Sequence, residues 1–91
     1  MESQMKSPYL YSMEVKLKMF GVAREIMGRQ EQVWSTQKKS VGEIKEEIFE
    51  RYPSLRQLNS LFIAVNHRYA PDEHVITETD EVALIPAVSG G

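Results

Sequence analysis

The residues of this 91-residue sequence with the clearest chemical potential are its last two, Gly90 and Gly91. Glycine is what a chain needs where backbone must thread a slot too narrow for side chains. An α-carboxylate on such a tail is reachable, but it is a poor electrophile until it is activated. Adenylation with ATP, carried out by another protein, would give it a leaving group. Attack by sulfide or a persulfide would then leave a thiocarboxylate, and attack by a lysine would leave an isopeptide bond. The chain has no cysteine, so it cannot take the acyl group onto a thiol of its own, and any sulfur must come from elsewhere. The bland alternative is that the two glycines are a leftover linker.

Other candidates are weaker. His67 and His74 fall in a loop-like stretch without a matching carboxylate pattern, so they read as surface imidazoles rather than metal ligands. Asp80 and Glu81 could be paired carboxylates, but they open a strand after a turn, where solvated side chains are expected. Ser35, Ser40 and Ser54 have no evident base partner. Neither a phosphate-binding glycine loop nor a dinucleotide fingerprint is present. The chain therefore reads as a poor catalyst by itself, binding no cofactor and no metal of its own. With eleven Lys/Arg against thirteen Asp/Glu, its net charge of -2 gives no basic excess for nucleic acid. The absence of cysteine also excludes a disulfide framework and a thiolate metal site. No stretch approaches the roughly 20 apolar residues of a membrane span, and the N-terminus lacks a signal-peptide core. A cytoplasmic protein without a membrane partner is the expectation.

The elements that must position the terminus fit one small domain. Val15, Leu17 and Met19 alternate with Lys16 and Lys18, the period of a half-buried strand. Phe20 falls in the lysine row, which should meet water. Gly21 breaks this strand, and residues 22–27 followed by Gly28 read as a short helix with a C′ glycine. Residues 31–36 supply a second strand, antiparallel to the first. Ser40 and Glu43 have capping-box spacing. Val41, Ile44, Ile48 and Tyr52 form the apolar stripe of the main helix, with Phe49 beside it, and Pro53 stops it near Arg51. Residues 55–58 suit a turn or a fragment of helix. Residues 61–65 are too apolar for a one-sided strand and belong in mid-sheet. Residues 66–74 read as strand end, turn and loop, and residues 81–85 as the last strand, which Pro86 ends. The order β, short α, β, α, β, β implies an α+β fold, a sheet with one main helix packed across one face. Residues 1–12 read as a tail, 13–86 as the domain and 87–91 as a flexible Gly-Gly tail.

A small domain ending in a strand and Gly-Gly resembles the ubiquitin-like sulfur carriers. Within them, Met19-Phe-Gly-Val-Ala-Arg-Glu25, Phe62-Ile-Ala-Val-Asn66 and residues 80–91 are similar to the small, sulfur-carrier subunits of molybdopterin synthase. The likeness covers residues 14–91. Thr79 stands where the family often has glycine, and Ala87 where it often has a second proline, which leaves the tail less constrained. Carriers for thiamine are usually shorter and lack the Phe20…Arg24-Glu25 pattern. A carrier for thiamine or tRNA thiolation, and a non-catalytic ubiquitin-like protein modifier, remain the alternatives.

The resemblance implies a ubiquitin-like β-grasp fold with a mixed sheet. It implies that Gly91 is adenylated by a ubiquitin-activating-type enzyme that consumes ATP and is converted to a thiocarboxylate. The tail, with Gly90 threading a narrow channel, would enter the large synthase subunit in a heterotetramer and donate sulfur to cyclic pyranopterin monophosphate. Catalytic groups would belong mainly to that large subunit. The first and last strands are neighbours in such a sheet, so Phe20 and Ile85 are expected close together. Tyr69, at the end of the third strand, and Arg24, on the short helix, are the other partner-binding candidates.

Overall fold

The computed structural model describes residues 12–58 and 60–87. Its elements are β1 (Met13–Met19), α1 (Gly21–Met27), β2 (Glu31–Thr36), α2 (Val41–Arg51), α3 (Pro53–Arg56), β3 (Leu61–Val65), β4 (Arg68–Tyr69) and β5 (Glu81–Pro86). The strands form one five-stranded sheet in the order β2-β1-β5-β3-β4. β1 and β5 run parallel, and the other neighbours are antiparallel.

Alternation decides which face each side chain takes. Val15, Leu17 and Met19 of β1 and Val82 and Leu84 of β5 are buried on the inner face, as their spacing predicts. They join Val41, Ile44 and Ile48 of α2 in one core, with Ile63, Val65, Ile76 and Leu55. α2 starts where the sequence places it. Ser40 Oγ accepts from the Glu43 N–H at 3.2 Å, and the Glu43 carboxylate accepts from the Ser40 N–H at 3.4 Å. The Ser40 hydroxyl also donates to that carboxylate at 3.0 Å, and this bond, followed by the one from the Ser40 N–H, holds the Glu43 carboxyl below its usual range. A single carboxylate then ties α2 to the edge strand β2. Glu47 Oε1 accepts from Trp34 Nε1 at 3.1 Å and from Thr36 Oγ1 at 2.6 Å, and the Arg51 guanidinium lies over the Trp34 ring.

α1 ends on Gly28 in the left-handed region at φ 79°, the expected C′ glycine. The helix fragment expected at residues 55–58 forms slightly earlier, as α3, because Pro53 takes its first position. One element goes beyond the sequence reading. Asn66 and His67 both have positive φ, 52° and 75°, which turns the chain through a two-residue hairpin into β4. No helix of the described residues is long and apolar enough to cross a membrane.

Candidate functional site

α2 covers the inner face of the sheet, and the outer face carries the candidate residues. Strand pairing sets Lys18 opposite Ala83, Ala83 opposite Ala64, and Ala64 opposite Tyr69, one row across four strands. The two alanines make a low floor. Phe20, Ile85, His67 and Tyr69 rise around it, and Lys18 and Glu81 close one end. The result is a groove of about 330 Å³. Phe20 is 49 % and Tyr69 70 % exposed, while Ile85 is half-buried.

The expected meeting of Phe20 and Ile85 therefore occurs, because β1 and β5 are parallel neighbours. Tyr69 reaches the same groove by a different route. It belongs to β4, a strand of its own, and not to the end of β3, because the Asn66–His67 turn folds it back beside Ala64. Arg24 is exposed on α1 and lines a separate shallow depression with Lys18, Phe20, Gln30 and Glu31. Gly90 and Gly91, on which the proposed chemistry turns, lie outside the described residues, as do residues 1–11.

One residue of this face was not singled out from the sequence. Phe62 is 47 % exposed although β3 reads as buried on both faces. It pairs with Ile85 across the sheet, and its ring centroid lies 5.4 Å from that of Tyr69. Parity explains its position, since Phe62 and Ala64 alternate with the core residues Ile63 and Val65, but in an all-apolar run the sequence does not show which alternate set is covered.

Charge bounds the groove at the end where β5 begins. Lys18 Nζ lies 2.8 Å from one Glu81 oxygen, and His67 Nε2 lies 3.3 Å from the other. The hydrogen bond from Lys18 holds the Glu81 carboxyl below its usual range, and the same bond raises the Lys18 ammonium. Asp80 is held low chiefly by the Thr77 backbone N–H, at 2.9 Å, and then by the Asn66 side chain, at 2.8 Å. Glu81 is engaged by Lys18 and Asp80 by the turn, so neighbouring positions in sequence do not make them an acid–base pair. His74 has a different setting, its carbonyl accepting from the Val41 N–H at the start of α2.

A five-stranded mixed sheet with one long helix across its inner face and an open apolar groove on the other is a ubiquitin-like β-grasp domain. Solved structures of the same shape include a protein of Pyrococcus furiosus assigned as molybdopterin converting factor subunit 1. It is 26 % identical, with a TM-score of 0.76, covering 85 % of this chain and 100 % of that one. Small archaeal modifier protein 1 of Methanosarcina acetivorans is 25 % identical, with a TM-score of 0.74, covering 89 % and 99 %. Among curated proteins, the molybdopterin synthase sulfur carrier subunit of Mycobacterium tuberculosis is 35 % identical over 86 % of this chain and 98 % of its own length. That of Arabidopsis thaliana is 32 % identical over 88 % and 85 %. The sequence profile of the ThiS family matches residues 17–91, and the chain belongs to that family.

Proposed function

We propose that this chain is the sulfur-carrier subunit of a molybdopterin synthase, and that its Gly91 thiocarboxylate donates sulfur to cyclic pyranopterin monophosphate. The observation that carries the reading is the position of the open apolar groove. It is lined by Ile85 of β5, the strand whose sequence continues into the Gly-Gly tail, which would bring a partner docked there within reach of the terminus. The likeness to sulfur carrier subunits along most of the chain supports the same assignment.

The chemistry needs little from the chain beyond presentation. The Gly91 carboxylate attacks the α-phosphorus of ATP on an adenylating enzyme, releasing pyrophosphate. Sulfide attacking the acyl carbon expels AMP and leaves the thiocarboxylate directly; a persulfide leaves an acyl disulfide, from which a second thiol releases the thiocarboxylate by forming a disulfide with the donor sulfur. In the large subunit the tail delivers that sulfur and returns as a carboxylate. Two sulfurs complete a dithiolene, so two loaded tails are consumed for each product. Gly90 allows a close approach by the channel walls, and Phe20, Arg24, Tyr69 and Ile85, with Phe62, form the docking contacts.

Intact mass after incubation with ATP, a sulfur source and the adenylating enzyme tests the reading. The expected result is the gain from replacing one oxygen by sulfur at Gly91, absent when an alanine is appended after it. Isopeptide conjugates without any sulfur-loaded species would favour the modifier reading, to which the archaeal structural neighbour lends its support.

A further inference from the structure

The junction between β5 and the tail has a hydrogen-bonding pattern of its own. In an antiparallel pair, hydrogen-bonded positions recur at every second residue. Asn66 donates its backbone N–H to Glu81 at 2.8 Å, and β3 and β5 keep one register from there to Leu61–Pro86. That phase makes Leu61–Pro86 a pair without ladder bonds and Ser60–Ala87 the next bonded pair. Pro86 therefore stands where β3 requires no N–H, and its missing donor costs the ladder nothing on that side. On its other side Pro86 lies against Gly21, where an added Cβ would be 3.8 Å from the proline ring. Ala87 then donates its N–H to the Ser60 carbonyl at 3.0 Å, extending the ladder one residue past the end of the strand. The Ala87 side chain is exposed, so the backbone donor is what ties this residue down.

We propose that the Ala87 N–H to Ser60 bond sets the direction in which residues 88–91 leave the sheet, which makes Ala87 a positioning residue for sulfur delivery. The inference rests on the sulfur-donor reading above. Four residues follow Ala87, and fully extended they reach about 14 Å. A 30° swing at their base would move the terminal carbon by about 7 Å, whereas reacting atoms must come within roughly 3–3.5 Å of each other. Pinning residue 87 moves the pivot of the tail outward by one residue and narrows the cone that its end explores. A proline at 87 would restrict φ through its ring but would have no N–H to give. This chain uses the bond.

The test removes that one donor and leaves the side chain intact. The full chain is assembled by ligation at Ala83, through a temporary cysteine that is desulfurised to alanine, with Ala87 replaced by lactic acid. An ester oxygen then stands for the N–H, and the all-amide protein made by the same route is the control. In the control, the Ala87 amide should exchange with deuterium at least about tenfold more slowly than an unstructured amide. The ester protein should bind the large subunit with unchanged affinity yet transfer sulfur in a single turnover about three- to tenfold more slowly. Its residues 88–91 should also show faster motion by NMR relaxation. An unprotected Ala87 amide or equal transfer rates overturn the proposal. So does lost affinity at an unchanged transfer rate, which would place the bond in docking instead. A control that forms no thiocarboxylate refutes the sulfur-donor reading alone, and exchange and relaxation then still decide whether the bond directs the tail.

Discussion

Phe62→Ala should weaken docking and lower stability by separately measurable amounts. Phe62 is 47 % exposed, so of a side chain that buries roughly 200 Å² when fully covered, about 95 Å² still meets water in the free protein. If a docked partner covers it, that area is worth about 2.4 kcal/mol at 25 cal/mol per Å², or about a fiftyfold weaker complex after truncation. Within the free protein the change removes the covered half of the ring and its contact with Tyr69, and about 1–2 kcal/mol of stability should go with them. Calorimetric titration with the large subunit measures the first effect, and urea denaturation the second. Val75→Ala is the control: Val75 is 60 % exposed, but it bridges to Ser40 at the start of α2, away from the groove. It should change affinity by less than about twofold. If Phe62→Ala lowers stability as expected and leaves affinity within about threefold of the parent, the outer face is not the docking surface.

Ile85→Asp should leave a folded monomer, because Ile85 is only half-buried, and should abolish the complex in gel filtration, because docking would strip water from a carboxylate; an unfolded variant would place Ile85 in the core. Gly90→Val should keep the melting temperature of the parent and lower sulfur transfer by more than about tenfold, since a Cβ there obstructs a threaded tail and restricts its dihedrals; normal transfer would remove the narrow channel from the mechanism. Acid should destabilise the fold. Glu43, Asp80 and Glu81 are held below their ordinary values of 4.5, 3.8 and 4.5, so their stabilisation is complete above those values and is lost as pH falls through the lower folded-state ones. The denaturation midpoint should be nearly flat from about pH 5 to 8 and fall below that window. Asp80→Asn should flatten part of the acid limb, and an unchanged limb would mean that the bonds to Thr77 and Asn66 do not contribute.

Periodicity and local chemistry determined much of this protein directly from its sequence. The alternation in β1 separated Val15, Leu17 and Met19 from Phe20 correctly, because a strand admits only two faces. Ser40 and Glu43 fixed the start of α2, because a capping box is closed within four residues. Gly28 marked the end of α1 for the same local reason. The Gly-Gly terminus and the flanking segments pointed to the family. Position in space was a different matter. That Phe20 and Ile85 share a groove depends on β1 and β5 pairing in parallel across more than sixty residues of sequence, and nothing local to either strand encodes that pairing. Phe62 was hidden because an apolar run cannot show which of its residues lack a covering layer. Asn66 and His67 lack the glycine that usually announces a tight hairpin, so β4 and the return of Tyr69 went unread. Glu81 was read as a solvated strand-entry side chain, and only the fold showed that Lys18 and His67 come to it. The sequence holds the contacts that close within a turn or a strand, whereas the groove is made by strands far apart in the chain, and only their packing decides what it contains.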